Sequence, residues 1–441
     1  MTAKTLLAAA IAALLFASTA ADAQRVSRET RPAADAPAEE DDRSDRKKKD
    51  DKSDELSYPN ATREDPGKGK PKLQTKLTRM NKAFQSENYD DVIATAEEVL
   101  ADPKATPFDR SQAAYFASFA SVNMDLPDHK QAIGYAKRAI DENALGNEIH
   151  YQLMHQWAQM HLVDEQYAEA LAVADRLVAE TKSEKDAKVQ ALRGNALYRL
   201  DRYPEAIEAL KVAVAAPDAD KAAVTMLVDS YLQTEKYPEA INVAEGIANA
   251  NPKDKKAALN LATVYAQADQ PAKAAEVFER LRSAGMLTES SDYESGYRLL
   301  ANLDGREKDT IAFINAGLEK GVLKPSASVY SVLGQSYYYS EQVEQAIAAW
   351  GKGAPLAKDG ELYLNLAKVN LQEEHWAAAK TAAEQALAKG VRNPGEAWIV
   401  IAGAAAELGD RAGEIAAYRE AAKDPKTRDD ANRMLRSLGG K

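Results

Sequence analysis

From Lys221 onward, the apolar and small residues fall at Val224, Leu227, Val228 and Tyr231, then at Ala240, Ala244 and Ile247. The first four are spaced i, i+3, i+4, i+7, which is one face of an α-helix, and the last three mark a face of a second helix. Between them, Tyr237-Pro238-Glu239 puts proline at the start of the second helix, where its missing N–H is not needed. Pro252 ends that helix. Asp220 to Pro252 is therefore predicted to form a hairpin of two short amphipathic helices. Ala240 is small enough to let them approach closely.

The pattern recurs. Thirty-four residues on stand Ala258, Leu261, Ala262 and Tyr265, then Ala274, Phe278 and Leu281; thirty-four back from Ala240 stands Ala206, in RYPEAIEALKVAV. Taking the small residue of each second helix as a marker gives Val92, Ala132, Ala170, Ala206, Ala240, Ala274, Thr310, Ala346, Ala379 and Glu414. The successive intervals are 40, 38, 36, 34, 34, 36, 36, 33 and 35, so about ten units are expected, the first three joined by longer turns. The clearest later unit is ASVYSVLGQSYYYSEQVEQAIAAW, with Tyr330, Leu333, Gly334, Tyr337, Ala346 and Trp350 at pattern positions. The most irregular starts near Ser291, where Tyr297-Arg298 and Thr310 interrupt the pattern. From Thr427 to Leu438 a further amphipathic helix, with Ala431, Met434, Leu435 and Leu438 apolar, is expected to cap the array. All four tryptophans, Trp157, Trp350, Trp376 and Trp398, fall at packing positions.

This period and residue pattern resembles the tetratricopeptide repeat. The resemblance implies an all-α fold, a right-handed superhelix of helical hairpins. It also implies an inner groove lined by positions 2, 5, 9, 12 and 13 of each first helix. Carried onto this chain, those positions include Lys188, Asn195, Tyr198 and Arg199 in the unit from Ala187. In the next unit they include Thr225, Asp229 and Gln233, and in the unit from Ala327 they include Ser331, Gln335, Tyr338 and Tyr339. The repeat accounts for Tyr337 but not for Tyr338 and Tyr339, which either contact a partner or cover adjacent helices. Some members clamp a terminal carboxylate with lysine and asparagine. Here Asn195 matches, but Ala191 and Met226 stand at two of the other clamp positions.

Composition changes sharply before the array. Residues 1–23 carry Lys4, an apolar run from Leu6 to Phe16, and Ala21-Asp22-Ala23, which is the layout of a secretory signal with cleavage expected after Ala23. The apolar run is short for a bilayer span, so no stable membrane span is expected after cleavage, and the compartment expected is the periplasm. Residues 24–72 hold 13 Arg plus Lys against 13 Asp plus Glu and almost no aliphatic side chains; such a neutral polyampholyte is expected to be a disordered charged linker. The organisation expected is thus signal peptide 1–23, linker 24–72, repeat array 73–426, and capping helix with tail 427–441. The net charge of −11 lies in the array, which argues against nucleic acid as a partner.

Candidate chemistry is sparse. The chain has no cysteine, which removes thiolate metal sites and thiol nucleophiles. His150, His155 and His161 are five and six apart, so they do not share a face as i, i+4 ligands would. No catalytic residue, cofactor or metal site is expected, and the chain reads as a non-enzyme; a hydrolase site in the irregular unit between Ser291 and Thr310 is the competing reading.

The stretch FQSENYDDVIATAEEVLADPKATPFDRSQAAYFASFASVNMDLPDHKQAIGYAKRAIDENALGNEIHYQLMHQWAQMHLVDEQYAEAL, with its long first turns and its ALGNEIHYQL connection, resembles the tetratricopeptide component that accompanies some TonB energy-transduction systems. That resemblance implies protein partners in the TonB, ExbB and ExbD inner-membrane complex. The alternative is a scaffold for envelope polysaccharide or outer-membrane protein assembly.

Overall fold

The structure, a computed structural model, describes residues 58–439 except Lys68 and Asp218. The expected signal peptide, its cleavage point and the linker up to residue 57 lie outside the described residues. Among those described there are twenty-one α-helices and no strand. They run as ten hairpins and a closing helix: α1 Gln74–Gln85 with α2 Tyr89–Leu100, α3 Pro107–Asn123 with α4 His129–Asp141, α5 Asn147–Val163 with α6 Tyr167–Thr181, and α7 Ala187–Arg199 with α8 Tyr203–Val214. Then come α9 Lys221–Gln233 with α10 Tyr237–Ala250, α11 Lys255–Gln267 with α12 Pro271–Ser283, and α13 Ser290–Ala301 with α14 Glu307–Glu319. The last are α15 Ala327–Tyr339 with α16 Val343–Gly353, α17 Glu361–Gln372 with α18 Trp376–Lys389, α19 Pro394–Glu407 with α20 Arg411–Ala421, and the single α21 Arg428–Ser437.

Local sequence explains the starts. Asn88, Thr106, Asp128, Asp186, Asp220, Asp254, Ser326 and Asp410 each accept a backbone N–H of the first turn through the side chain, the usual means of satisfying orphan donors. Pro107, Pro271 and Pro394 open their helices, where no N–H is lost.

Two compact units divide within α10, after Ala244. In the first unit, the core of the early hairpins gathers Met80, Val92, Ala113, Ala136, Leu153 and Leu177. The first helices α3, α5 and α7 each pack between their own second helix and the preceding one. In the second unit α13, α15, α17 and α19 are wired in the same way; Leu364, Ala383, Ile401, Tyr418 and Leu435 form its last core, which α21 closes with Ala431 and Leu435. All ten markers are buried, from Val92 to Ala379 fully and Glu414 nearly so. Thr310 is tolerated because its hydroxyl donates to the Arg306 carbonyl one turn back (2.9 Å), and Glu414 because its carboxylate pairs with Arg411 at 3.3 Å.

Two packing expectations are corrected. Ile247 is exposed, its place taken by Ala248; the buried stripe of α10 runs Ala240, Ala244, Ala248, four residues apart, which turns Ile247 outward. Met434 of α21 is likewise exposed while Leu435 is buried.

A third difference concerns the linker. Tyr58 to Gly67 and Gly69 to Lys72, expected to be disordered, form a strap of turns and irregular backbone docked on the first unit. Its end is held by Asp109, a fully buried carboxylate that accepts the N–H groups of Lys72 (3.1 Å), Leu73 (3.2 Å) and Thr106 (2.8 Å). These bonds hold the Asp109 carboxyl below the usual range despite the opposing effect of burial. Gly69 lies against the ring of Phe108, where a Cβ would sit 1.9 Å from Cδ2. Charge-rich composition describes solvation of an isolated chain; it carries no information about partners supplied by distant turns.

Candidate functional site

The candidate surface is the face of the first helices. In the first unit α7 and α9 lie side by side, and the Tyr198 hydroxyl donates to Asp229 Oδ2 at 2.7 Å, joining two of the expected positions. Burial, reinforced by the Asp229 carboxylate, raises the Tyr198 phenol. Its ring meets Tyr203 edge-on at 5.8 Å, and the Arg199 guanidinium lies over the Tyr167 ring at 5.8 Å, a cation–π arrangement. Lys188, Thr225 and Gln233 are exposed and Asn195 is half-buried. The Thr225 hydroxyl is turned onto its own helix, donating to the Lys221 carbonyl at 3.0 Å.

In the second unit α15 carries Ser331, Gln335, Tyr338 and Tyr339. The two extra tyrosines part company. Tyr338 is half-buried, packs on Trp350 at 6.0 Å and donates its hydroxyl to Gln372 Oε1 of α17 at 3.2 Å. Tyr339 stands against it at 5.9 Å and is 64% exposed. Gln335 is exposed; Ser331 is half-buried, its carbonyl accepting the Trp350 indole N–H at 3.3 Å. Trp350 lies this close because Gly334 leaves it room: a Cβ there would sit 2.4 Å from Nε1.

Lys368, paired with Glu396 of α19, and Gln372 share this face and were missed from sequence. The signal was present: the marker interval there is 33, which carries Gln335 onto Lys368 and Tyr339 onto Gln372. The resulting patch is an exposed ring flanked by amides and an ion pair, suited to a polypeptide with mixed polar and apolar side chains.

The irregular unit turns its distinctive residues inward. Tyr293 and Tyr297 are fully buried with Phe313, and Asp292 accepts from the Thr288 and Glu289 N–H groups, both at 3.1 Å, and from Lys255 Nζ at 3.0 Å. Among the described residues no cluster of metal-ligating side chains occurs. His150 is fully buried, and His161 bonds Gln166 at 2.7 Å.

Comparison with known proteins gives two family matches. A tetratricopeptide repeat model matches residues 225–286 and 364–430, and the model for anaphase-promoting complex, cyclosome, subunit 3 matches residues 163–247. No curated protein matches the chain. Among solved structures, a tetratricopeptide repeat protein from Parabacteroides merdae is 19% identical, covering 59% of this chain and 98% of its own at a TM-score of 0.37. The C-terminal part of a repeat-containing protein from Cytophaga hutchinsonii is 18% identical over 64% of this chain and 99% of its own, TM-score 0.32. The type IV pilus biogenesis factor PilW is 15% identical over 49% and 100%, TM-score 0.32.

Proposed function

The chain is a tetratricopeptide repeat protein, built as a protein–protein interaction scaffold, and from that premise we propose that it works in the periplasm as an adaptor for a TonB–ExbB–ExbD energy-transduction complex. The observation that carries the scaffold reading is the first-helix patch of Tyr339, Gln335, Gln372 and Lys368, which offers a rigid amphipathic ring beside hydrogen-bonding amides. The compartment rests on the signal layout of residues 1–23. The partner rests on the resemblance of the first repeats to the component that accompanies TonB systems. Among the described residues no helix is long and apolar enough to cross a membrane.

The test is photocrosslinking in cells from probes at Tyr339 and Gln233, both exposed, with cell fractionation alongside. The expected result is periplasmic protein giving adducts with TonB or ExbD. Adducts with polysaccharide-export or outer-membrane assembly proteins would replace this reading with the alternative scaffold, and cytoplasmic protein would end it.

A further inference from the structure

The strap does more than lie on the first unit. Arg63 spends its whole guanidinium on the turn between α4 and α5: Nε donates to Asn143 Oδ1 (2.6 Å), Nη1 to Asn147 Oδ1 (2.5 Å), and Nη2 to the carbonyls of Asn143 (3.0 Å) and Leu145 (2.9 Å). Asn147 answers with its own amide, Nδ2 donating to the Arg63 carbonyl at 3.0 Å. Two residues on, Asp65 Oδ2 accepts the backbone N–H of Asn147 at 3.1 Å. This supplies the cap that Gly146, the residue before α5, has no side chain to give. Upstream, Thr62 donates its N–H (2.7 Å) and its hydroxyl (3.0 Å) to the Glu180 carbonyl at the end of α6, and the Tyr58 ring meets Tyr151 at 5.4 Å.

The receptor side of these contacts comes from α5, α6 and the turn between α4 and α5. Asn143 holds a left-handed backbone, φ 53°, which turns its carbonyl and that of Leu145 toward one point. A planar fork of donors fits four fixed acceptors; an ammonium does not. This is the ALGNEIHYQL connection that departs from ordinary repeats, and its departure builds the receptor.

We propose that this turn, with Tyr151 and the C-terminal carbonyl of α6, is a peptide-recognition site for a Thr-Arg-x-Asp sequence preceded by an aromatic residue. In the resting chain it is filled by residues 58–65, and a partner protein presenting the same motif takes it by displacing the strap. The cis ligand has the advantage of a short tether, equivalent to about millimolar concentration, so exchange requires a partner held nearby or a weakened strap. The site is separate from the first-helix face and does not rest on the TonB reading.

The probe is a labelled synthetic peptide of residues 58–67, titrated by fluorescence anisotropy into the full chain. The R63A/D65A chain is expected to bind it saturably, at least about ten-fold more tightly than the wild-type chain, whose site is already occupied. Binding is expected to fall about ten-fold or more when the peptide carries lysine for arginine, or when Asn147→Ala is added to the chain. Should R63A/D65A melt early, R63K serves as the weakened strap with the same expectations. A well-folded weakened chain that ignores the peptide, or binds the lysine peptide equally well, overturns the proposal. So does wild-type chain that dimerises and is dissociated by the peptide, which would place the occupant on a second copy.

Discussion

At the turn inside most hairpins one residue is left-handed, and in seven of them it is acidic: Glu87, Glu165, Asp201, Glu235, Asp269, Glu341 and Glu374, with φ between 56° and 61°. A side chain there crowds the following carbonyl by about 1–2 kcal/mol, partly offset because glycine loses more freedom on folding. Glu235→Gly is therefore expected to stabilise the protein by about 0.5–1 kcal/mol, read as a higher urea midpoint. Tyr293 and Tyr297 bury hydroxyls that find no partner among the described residues. Tyr297→Phe should then be neutral or stabilising by up to about 1 kcal/mol, because it removes a desolvated group rather than a bond; a marked loss in the melt would reveal a partner. His150 is a different case. Burial, with Arg63 and Arg176 adding to it, pushes its imidazole down to about 3, while in the unfolded chain it titrates near its ordinary value of about 6.5. The unfolded chain thus takes up a proton that the folded one refuses, so stability falls as pH drops from about 6.5 toward 3, by up to about 1.4 kcal/mol per pH unit. Melts across that range should show a shallower loss for His150→Leu than for wild type, and equal slopes would mean His150 is not held neutral.

Each hairpin depends on close approach at its marker. Ala240 is fully buried, so Ala240→Arg forces a long charged side chain into a helix–helix contact and should cost about 3 kcal/mol or more, seen as a lower melting temperature. A melt matching wild type would place the register elsewhere. The register was legible because a 3.6-residue period is written locally: a buried alanine and its neighbours three and four away report one face whatever lies opposite. Ile247 shows the resolution of that reading. The period placed it near the seam, but which of two adjacent apolar residues turns inward depends on the tilt of α10 against its neighbours, and Ala248 is the one buried. Tyr338 and Tyr339 show the same limit on the candidate face, since they are adjacent in sequence and only packing against Trp350 and Gln372 separates a covered ring from an exposed one.

For the molecule as a whole, nearest-neighbour packing makes the ends vulnerable. The last core of the second unit includes Ala417, Ala421 and Ile401 and is completed by Ala431 and Leu435 of α21. Ending the chain at Lys426 removes that cover. The expected outcome is a lower melting temperature with increased aggregation on light scattering, with about 2 kcal/mol attributable to Leu435 alone. An unchanged melt would mean that α20 is a sufficient cap.

By itself the sequence determined that the chain is helical, that it folds as hairpins in a repeating register, that ten markers are buried and that a further helix follows the last hairpin. These are consequences of short-range periodicity and of capping residues next to the helices they cap. Only the tertiary structure decided the fate of Tyr58–Gly67, which has no period and whose polar partners include residues 80 to 118 positions away. It also decided which tyrosine of α15 stays exposed and what the ALGNEIHYQL turn bonds to. The physical reason is the same in each case: a helix face is set by bonds within one element, whereas a hydrogen bond between a strap and a turn exists only once the intervening hairpins have brought the two together.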